Sequence, residues 1–322
     1  MNKICIVGYN FGDNYQNYVP MFIYSVLKAY PNYSVKIFST NNLKPKIWEK
    51  INKLEHLGDF EIYENFNFDM KNTKSIKKYG YYQQALRWFF YHESFDEYDY
   101  IYIGDLDIFI CREDLDLCEQ HILHMKQIKL PYSNSLRVNL KENSFSIKRF
   151  IKLLKNRDSV ALKKLFNNKP IEERRLTGLH FIEREKYYKE VRKHFYYFHS
   201  ILLGEVKTET RNDEELLYEL ISLSDIDLPP ISPNKPDLDP LNYLAVNFRP
   251  HHGLHFGLFR DNRTMVKEHQ ILQSDVYKGY FDYFFKLYIN DKLLRDILYL
   301  EDWKYNYITK RIIDYYYDES NI

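Results

Sequence analysis

Tyr98-Asp99-Tyr100-Ile101-Tyr102-Ile103-Gly104-Asp105-Leu106-Asp107-Ile108-Phe109-Ile110 decides how the chain is read. An apolar run carries two carboxylates one residue apart and then resumes. Read as a strand, Tyr100 to Ile103 is apolar on both faces, the pattern of a strand inside a parallel sheet. The acids fall where that strand ends, and in open α/β sheets ligands bind beyond the carboxyl ends of the strands. A turn there lets Asp105 and Asp107 aim at one point. Two hard carboxylates suit Mg²⁺ or Mn²⁺ better than Zn²⁺. A pair of solvated turn acids is the plainer alternative. Against it, the aromatic and β-branched neighbours on both sides cannot all lie at the surface.

Upstream, Ile4-Cys5-Ile6-Val7 reads as a short buried strand and Gly8 to Tyr18 as a loop. Val19 to Tyr30 reads as a helix with Pro20 in its first turn, and Val35 to Phe38 as the next strand. This βαβ opening predicts a parallel sheet. The loop lacks the G-x-G-x-x-G spacing of a dinucleotide site. Lys44 to Leu57 reads as a second helix and Phe60 to Tyr63 as a strand. Tyr81 to Ser94 shows helical spacing, with Gln84 and Arg87 among its polar positions. Downstream, Arg112 to Met125 reads as a helix and Ile128 to Tyr132 as a strand. Leu176 to Ile182 reads as a strand broken by Gly178 and His180, where His180 is either a pocket residue or a core histidine. Helices are expected over Glu183 to Phe198 and from Asn212, with Asn212 or Asp213 as its N-cap. Beyond Gln273 the chain reads as helical.

The 322 residues suit one large α/β domain, and 45% hydrophobic content supports a sizeable core. The net charge of +1 gives no sign of a nucleic-acid partner. Three cysteines, Cys5, Cys111 and Cys118, form neither a metal-type pair nor a disulfide framework. No secretory leader opens the sequence and no apolar run reaches the length of a membrane span. The expected location is cytoplasmic, with the inner face of a membrane as a docking surface. Thirty-one Tyr and 22 Phe are best explained by AT-rich codon usage, so they are not read as a carbohydrate signal. Between Arg137 and Arg175 twelve Lys and Arg face four Asp and Glu. This basic helical stretch is either a solvated face or a surface for an anionic acceptor or membrane. Five prolines between 224 and 240 preclude a helix there.

Tyr-Asp-Tyr-Ile-Tyr-Ile-Gly-Asp-Leu-Asp-Ile resembles the Asp-x-Asp segment of GT-A fold glycosyltransferases, of the retaining glycogenin and lipooligosaccharide galactosyltransferase type. The resemblance implies a GT-A-like, Rossmann-like α/β fold with a mainly parallel sheet and helical additions at the C-terminus. It implies a catalytic domain over residues 1–265 and a helical extension over 266–322 packed on it. Asp105, Leu106 and Asp107 would then meet Mn²⁺ or Mg²⁺ and the diphosphate of a UDP- or GDP-linked sugar. Gly8, Tyr9, Asp13, Asn14 and Tyr15 resemble the segment that cups the nucleoside after the first strand. Arg87 matches a basic residue that precedes the Asp-x-Asp strand, with Gln84 as its weaker companion. Late in the chain, His255-Phe256-Gly257 with Arg260 resembles a segment whose His completes the metal site and whose basic residue touches the diphosphate. His252 is the alternative ligand. Asp213 and Glu214, at a helix start, and His180 are the implied catalytic residues.

The implied activity is sugar transfer from a nucleoside-diphosphate sugar to a hydroxyl of a glycan or lipid-linked glycan. The implied outcome is retention, in bacterial surface-polysaccharide synthesis, with peripheral membrane contact and homo-oligomerisation as accompanying expectations. Three other readings stay open on the residues. A nucleotidyltransferase also uses acids and a metal on an α/β sheet. A zinc hydrolase would draw on His251, His252 and His255. A non-catalytic sugar-binding protein would tolerate loss of both acids.

Overall fold

The computed structural model describes residues 2–13, 15–66, 83–141, 171–208, 210, 212–231, 252–259, 275–299 and 309–314. In chain order its strands are β1 Ile4–Asn10, β2 Ser34–Ser39, β3 Phe60–Tyr63, β4 Tyr100–Gly104, β5 Ile108–Ile110, β6 Tyr132–Ser133, β7 Leu136–Lys141, β8 Ile171–Leu176, β9 His180–Glu183 and β10 Gly253–His255. The helices are α1 Val19–Ala29, α2 Pro45–Asn52, α3 Leu117–Ile128, α4 Arg184–Val191, α5 Phe195–Leu202, α6 Asp213–Leu223, α7 Asp275–Asn290 and α8 Lys292–Leu298.

Six strands form one sheet in the order β3-β2-β1-β4-β9-β6. β1 to β4 are parallel, and β9 and β6 run antiparallel at one side. The architecture is therefore the expected α/β one, with a mainly parallel sheet. β1 is buried along its whole length, as a central strand covered on both faces must be. Two small antiparallel pairs, β5 with β10 and β7 with β8, stand apart from the main sheet.

Each face of the sheet carries its own core. On one face Phe22, Ile23 and Val26 of α1 pack with Ile47 of α2 and with Phe281, Phe284, Leu294 and Ile297 of α7 and α8. Every residue of α1 except Lys28 is buried, because the sheet lies on one side of it and the late helices on the other. Tyr24 donates to Asp291 at 2.7 Å, and Lys28 meets the same carboxylate at 2.9 Å. The late helices thus pack across the first helix. On the opposite face Trp88, Phe89 and Phe95 pack with Tyr187, Tyr188, Phe198, Leu216 and Leu220.

Several expectations need correction. The stretch expected as one helix over Tyr81 to Ser94 forms two 3-10 turns, Gln84–Trp88 and Glu93–Glu97, within the described residues. Here Trp88, Phe89 and Phe95 all seek the core, and tertiary packing overrides the period. Ile128 to Tyr132 is not a strand. α3 runs to Ile128, and Lys129 closes it in the left-handed region at φ 56°, which leaves only Tyr132–Ser133 to pair with β9. Leu176 to Ile182 breaks into β8 and β9 around Thr177, Gly178 and Leu179. Glu183 to Phe198 divides into α4, a 3-10 turn and α5. The two ends of the basic stretch expected as helical over 137–175 are instead the paired strands β7 and β8, while residues 142–170 and the prolines beyond Pro230 lie outside the described residues. No helix among the described residues is long and apolar enough to cross a membrane.

Candidate functional site

A cleft of about 410 Å³ opens at the carboxyl ends of β1 and β4. From β1 come Tyr9 and the loop residues Phe11 and Tyr15. The turn after β4 supplies Gly104, Asp105, Leu106 and Asp107. The 3-10 turn before β4 supplies Gln84 and Arg87, beside Gln83. Arg137, Thr177, Gly178 and Leu179 close the far side, Asp213 and Glu214 enter from the start of α6, and His255 enters from β10.

The two acids of the Asp-x-Asp turn have different environments. Asp105 is about one third exposed and is ion-paired with Arg87 Nη1. Asp107 is 2% exposed, and its Oδ1 lies 3.4 Å from His255 Nε2. The backbone fixes that second pair. β5 and β10 pair antiparallel with Ile108 opposite His255, and the Phe256 amide donates to the Asp107 carbonyl at 2.8 Å. Gly253 makes the pairing close enough, since a Cβ there would lie 2.0 Å from the Phe109 carbonyl oxygen. Burial holds the His255 imidazole below its ordinary value, against the opposing pull of Asp105. Its ring is thereby kept neutral, the form that binds metal.

Arg87 is the hub of the cleft. The residue is 8% exposed, and its guanidinium lies on the Trp88 ring at 4.2 Å and spans Asp105 and Asp213 Oδ2, the latter at 2.8 Å. Its Nε is buried with no hydrogen-bond partner among the described residues. Desolvation opposes its charge, and the two carboxylates outweigh that effect. Asn212 is the N-cap of α6, accepting from the Glu215 amide at 2.9 Å, so Asp213 is free of that role and reaches Arg87. Glu214 turns the other way. Its Oε1 accepts from the Gly178 amide at 3.0 Å, Arg175 stands 3.1 Å from Oε2, and Arg137 stands 3.9 Å from Oε1. Burial raises its affinity for a proton, and both guanidinium groups oppose that.

Of the residues singled out from the sequence, Tyr9, Tyr15, Gln84, Arg87, Asp105, Leu106, Asp107, Asp213, Glu214 and His255 meet at this cleft. Gly8 does not line it. It is buried under Leu106, whose Cδ2 would lie 2.5 Å from a Cβ at Gly8. Asp13 sits on an exposed turn, accepting from Asn41 at 3.1 Å. Gly257 lies in a 3-10 turn behind the cleft. Asn14, His251 and Arg260 lie outside the described residues.

His180 is a core histidine. It pairs with Ile103 across β4 and β9, contacts Asn134 at 2.9 Å and the rings of Tyr132 and Tyr187, and burial pushes its pKa down to about 3. His252 faces away from the cleft. Its Nδ1 donates to Glu113 at 2.7 Å and its Nε2 is 3.0 Å from His121 Nε2, so His252 and His255 do not share a site. Phe11, Thr177, Gly178 and Leu179 were not singled out as site residues. Only the glycine interrupting an apolar strand hinted at that wall.

Two carboxylates and a neutral imidazole are the donor types a hard divalent cation such as Mn²⁺ accepts. Asp107 and His255 already face each other. Asp105 is held by Arg87, and among the described residues no three His, Cys, Asp or Glu side chains are grouped as a metal-binding set.

No protein-family model matches the chain, and no curated protein sequence matches it. Solved structures with a similar backbone include core-mannan synthase A from Aspergillus fumigatus in its Mn/GDP form. It shares 9% identity over 69% of this chain and 70% of its own, with a TM-score of 0.41. The mannosyltransferase Ktr4p from S. cerevisiae gives 11% identity over 67% and 64%, with a TM-score of 0.40. Galactosyltransferase LgtC, in complex with donor and acceptor sugar analogues, gives 14% identity over 66% and 69%, with a TM-score of 0.32.

Proposed function

We propose that the chain is a GT-A-like glycosyltransferase that takes a sugar from a UDP- or GDP-linked donor and passes it to a hydroxyl of a glycan or lipid-linked glycan. The observation that carries the reading is the Asp107–His255 pair beside Asp105, at the carboxyl end of the central strand and open to a cleft. Asp105, Asp107 and His255 would hold Mn²⁺ or Mg²⁺. When bound, the cation supplies Lewis-acid stabilisation of the charge that grows on the departing diphosphate.

The protein's own groups account for the rest. Tyr9, Phe11 and Tyr15 offer aromatic faces at the β1 end for the nucleoside. Arg87 is fixed by two carboxylates, so its positive charge meets the donor with little reorganisation. Asp213 and Glu214 orient the sugar and acceptor. In the transfer, the bond from the anomeric carbon to the diphosphate oxygen breaks, and a bond from that carbon to the acceptor oxygen forms. The acceptor proton passes to the leaving phosphate in a retaining reaction. Asp213 or Glu214 would take it in an inverting one.

The test is release of UDP or GDP from a panel of nucleotide sugars with and without Mn²⁺, together with the anomeric configuration of the product by NMR. Metal-dependent release from one donor class is expected. Release of pyrophosphate from a nucleoside triphosphate would instead identify a nucleotidyltransferase.

A further inference from the structure

Arg137 and Arg175 stand directly opposite each other on β7 and β8. Both lean on one carboxylate, Glu214, which leaves two positive charges against one negative charge at this wall. Arg175 uses Nη1 at 3.1 Å, while its Nε is buried with no hydrogen-bond partner among the described residues. Arg137 makes a weaker contact. Its Nη1 is 3.9 Å from Glu214, beyond hydrogen-bond distance, and none of its five donors is hydrogen-bonded among the described residues. Its side chain is 39% exposed, so its donors are solvated and open to an acceptor that enters the cleft. Burial and the neighbouring Arg175 both push Arg137 below its ordinary value.

Position across the sheet separates this wall from the donor groups. The aromatic residues follow β1, the Asp-x-Asp turn follows the next strand, β4, and Thr177–Leu179 lead into β9 beyond it. Arg137 lines the cleft on this last side. With the nucleoside at β1 and the diphosphate at β4, what meets Arg137 is the molecule that receives the sugar.

We infer that Arg137 and Arg175 form a subsite for an oxyanion carried by the acceptor, which makes the acceptor an acidic glycan. The inference rests on the glycosyltransferase reading. A guanidinium fork matches both a carboxylate and a phosphate monoester, so a uronic acid and a sugar phosphate share the required chemistry.

The test is calorimetric titration of the full chain with methyl glucuronide, glucose 6-phosphate and neutral methyl glucoside. Each is run with and without nucleoside diphosphate and Mn²⁺. One or both charged sugars should bind at least ten-fold more tightly than methyl glucoside, and the tighter of the two identifies the anion. Arg137→Gln breaks no hydrogen bond seen here and leaves the Arg175–Glu214 pair in place, so it should fold. It should erase the preference for charge while nucleotide affinity stays within two-fold. Equal affinity for charged and neutral sugars, or affinity for none, overturns the inference. So does a preference that survives both Arg137→Gln and Arg175→Gln. A fall in nucleotide affinity in Arg137→Gln would move Arg137 to the donor and also overturn it. Failure of the wild type to bind any nucleotide is a separate result, against the glycosyltransferase reading itself.

Discussion

Arg87 holds the cleft together by geometry as well as charge. One planar fork spans Asp105 and Asp213, residues that enter on different elements. Lysine carries the same charge as a single point and cannot hold both carboxylates. Arg87→Lys is therefore expected to lower kcat/KM for sugar transfer by about 100-fold, or ~3 kcal/mol of transition-state stabilisation. Steady-state kinetics would check this, and a variant within three-fold of wild type would contradict it. The two acids stood out in the sequence because they interrupt an apolar run, whereas Arg87 was singled out only through the family resemblance; the structure brings all three to the cleft. His255 was legible only as one of several histidines. What separates it from His252 is the register of a long-range antiparallel strand pair, in which His255 lies opposite Ile108 while the neighbouring histidine meets Glu113 and His121. No local pattern encodes that choice. His180 shows the same limit: the strand pattern placed it, and the sheet order decided that it faces the core.

Among the elements, the β5–β10 pair is what turns the Asp-x-Asp turn into a site. It brings a segment from late in the chain against the strand that continues from Asp107. Because Gly253 approaches the Phe109 carbonyl so closely, Gly253→Ala must move backbone rather than a side-chain tip. The expected cost is ~2 kcal/mol of stability, with loss of any stabilisation by Mn²⁺ and nucleotide. Parallel melting curves of Gly253→Ala with and without these ligands would check it. Unchanged stability and an intact ligand shift would contradict the account. The main parallel strands were read correctly because buried β-branched and aromatic runs identify themselves. The region over Tyr81 to Ser94 was not, since its described aromatics all pack into the core on one face of the sheet rather than following a helical period.

At the scale of the whole molecule, the fold buries several imidazoles in neutral form. Burial pushes His124 down to about 4 and His180 to about 3, and lowers His121 as well. Their unfolded value is near 6.5. Above that value neither state carries the proton, so these groups do not change stability. As pH falls below 6.5 the unfolded chain binds protons that the folded one refuses, and stability is lost down toward pH 4 and then 3. His124 and His180 each contribute a loss on the order of 2 kcal/mol at pH 5, and His121 acts in the same direction. Glu214, raised by burial, acts in the opposite sense and only in part. A melting temperature that drops between pH 7.5 and 5 is expected, and a flat profile would contradict it. The most direct test of the central claim is the melting temperature with UDP, GDP and CDP, each with and without Mn²⁺, for wild type and Asp107→Ala. A ligand at about 100 times its dissociation constant adds ~2.7 kcal/mol to the folded state, a shift that is easily seen. One diphosphate should stabilise the wild type only when Mn²⁺ is present, and should leave Asp107→Ala unmoved. A shift that ignores the metal, or that survives in Asp107→Ala, would contradict the assignment of Asp105, Asp107 and His255 as the centre of a metal-dependent nucleotide-sugar site.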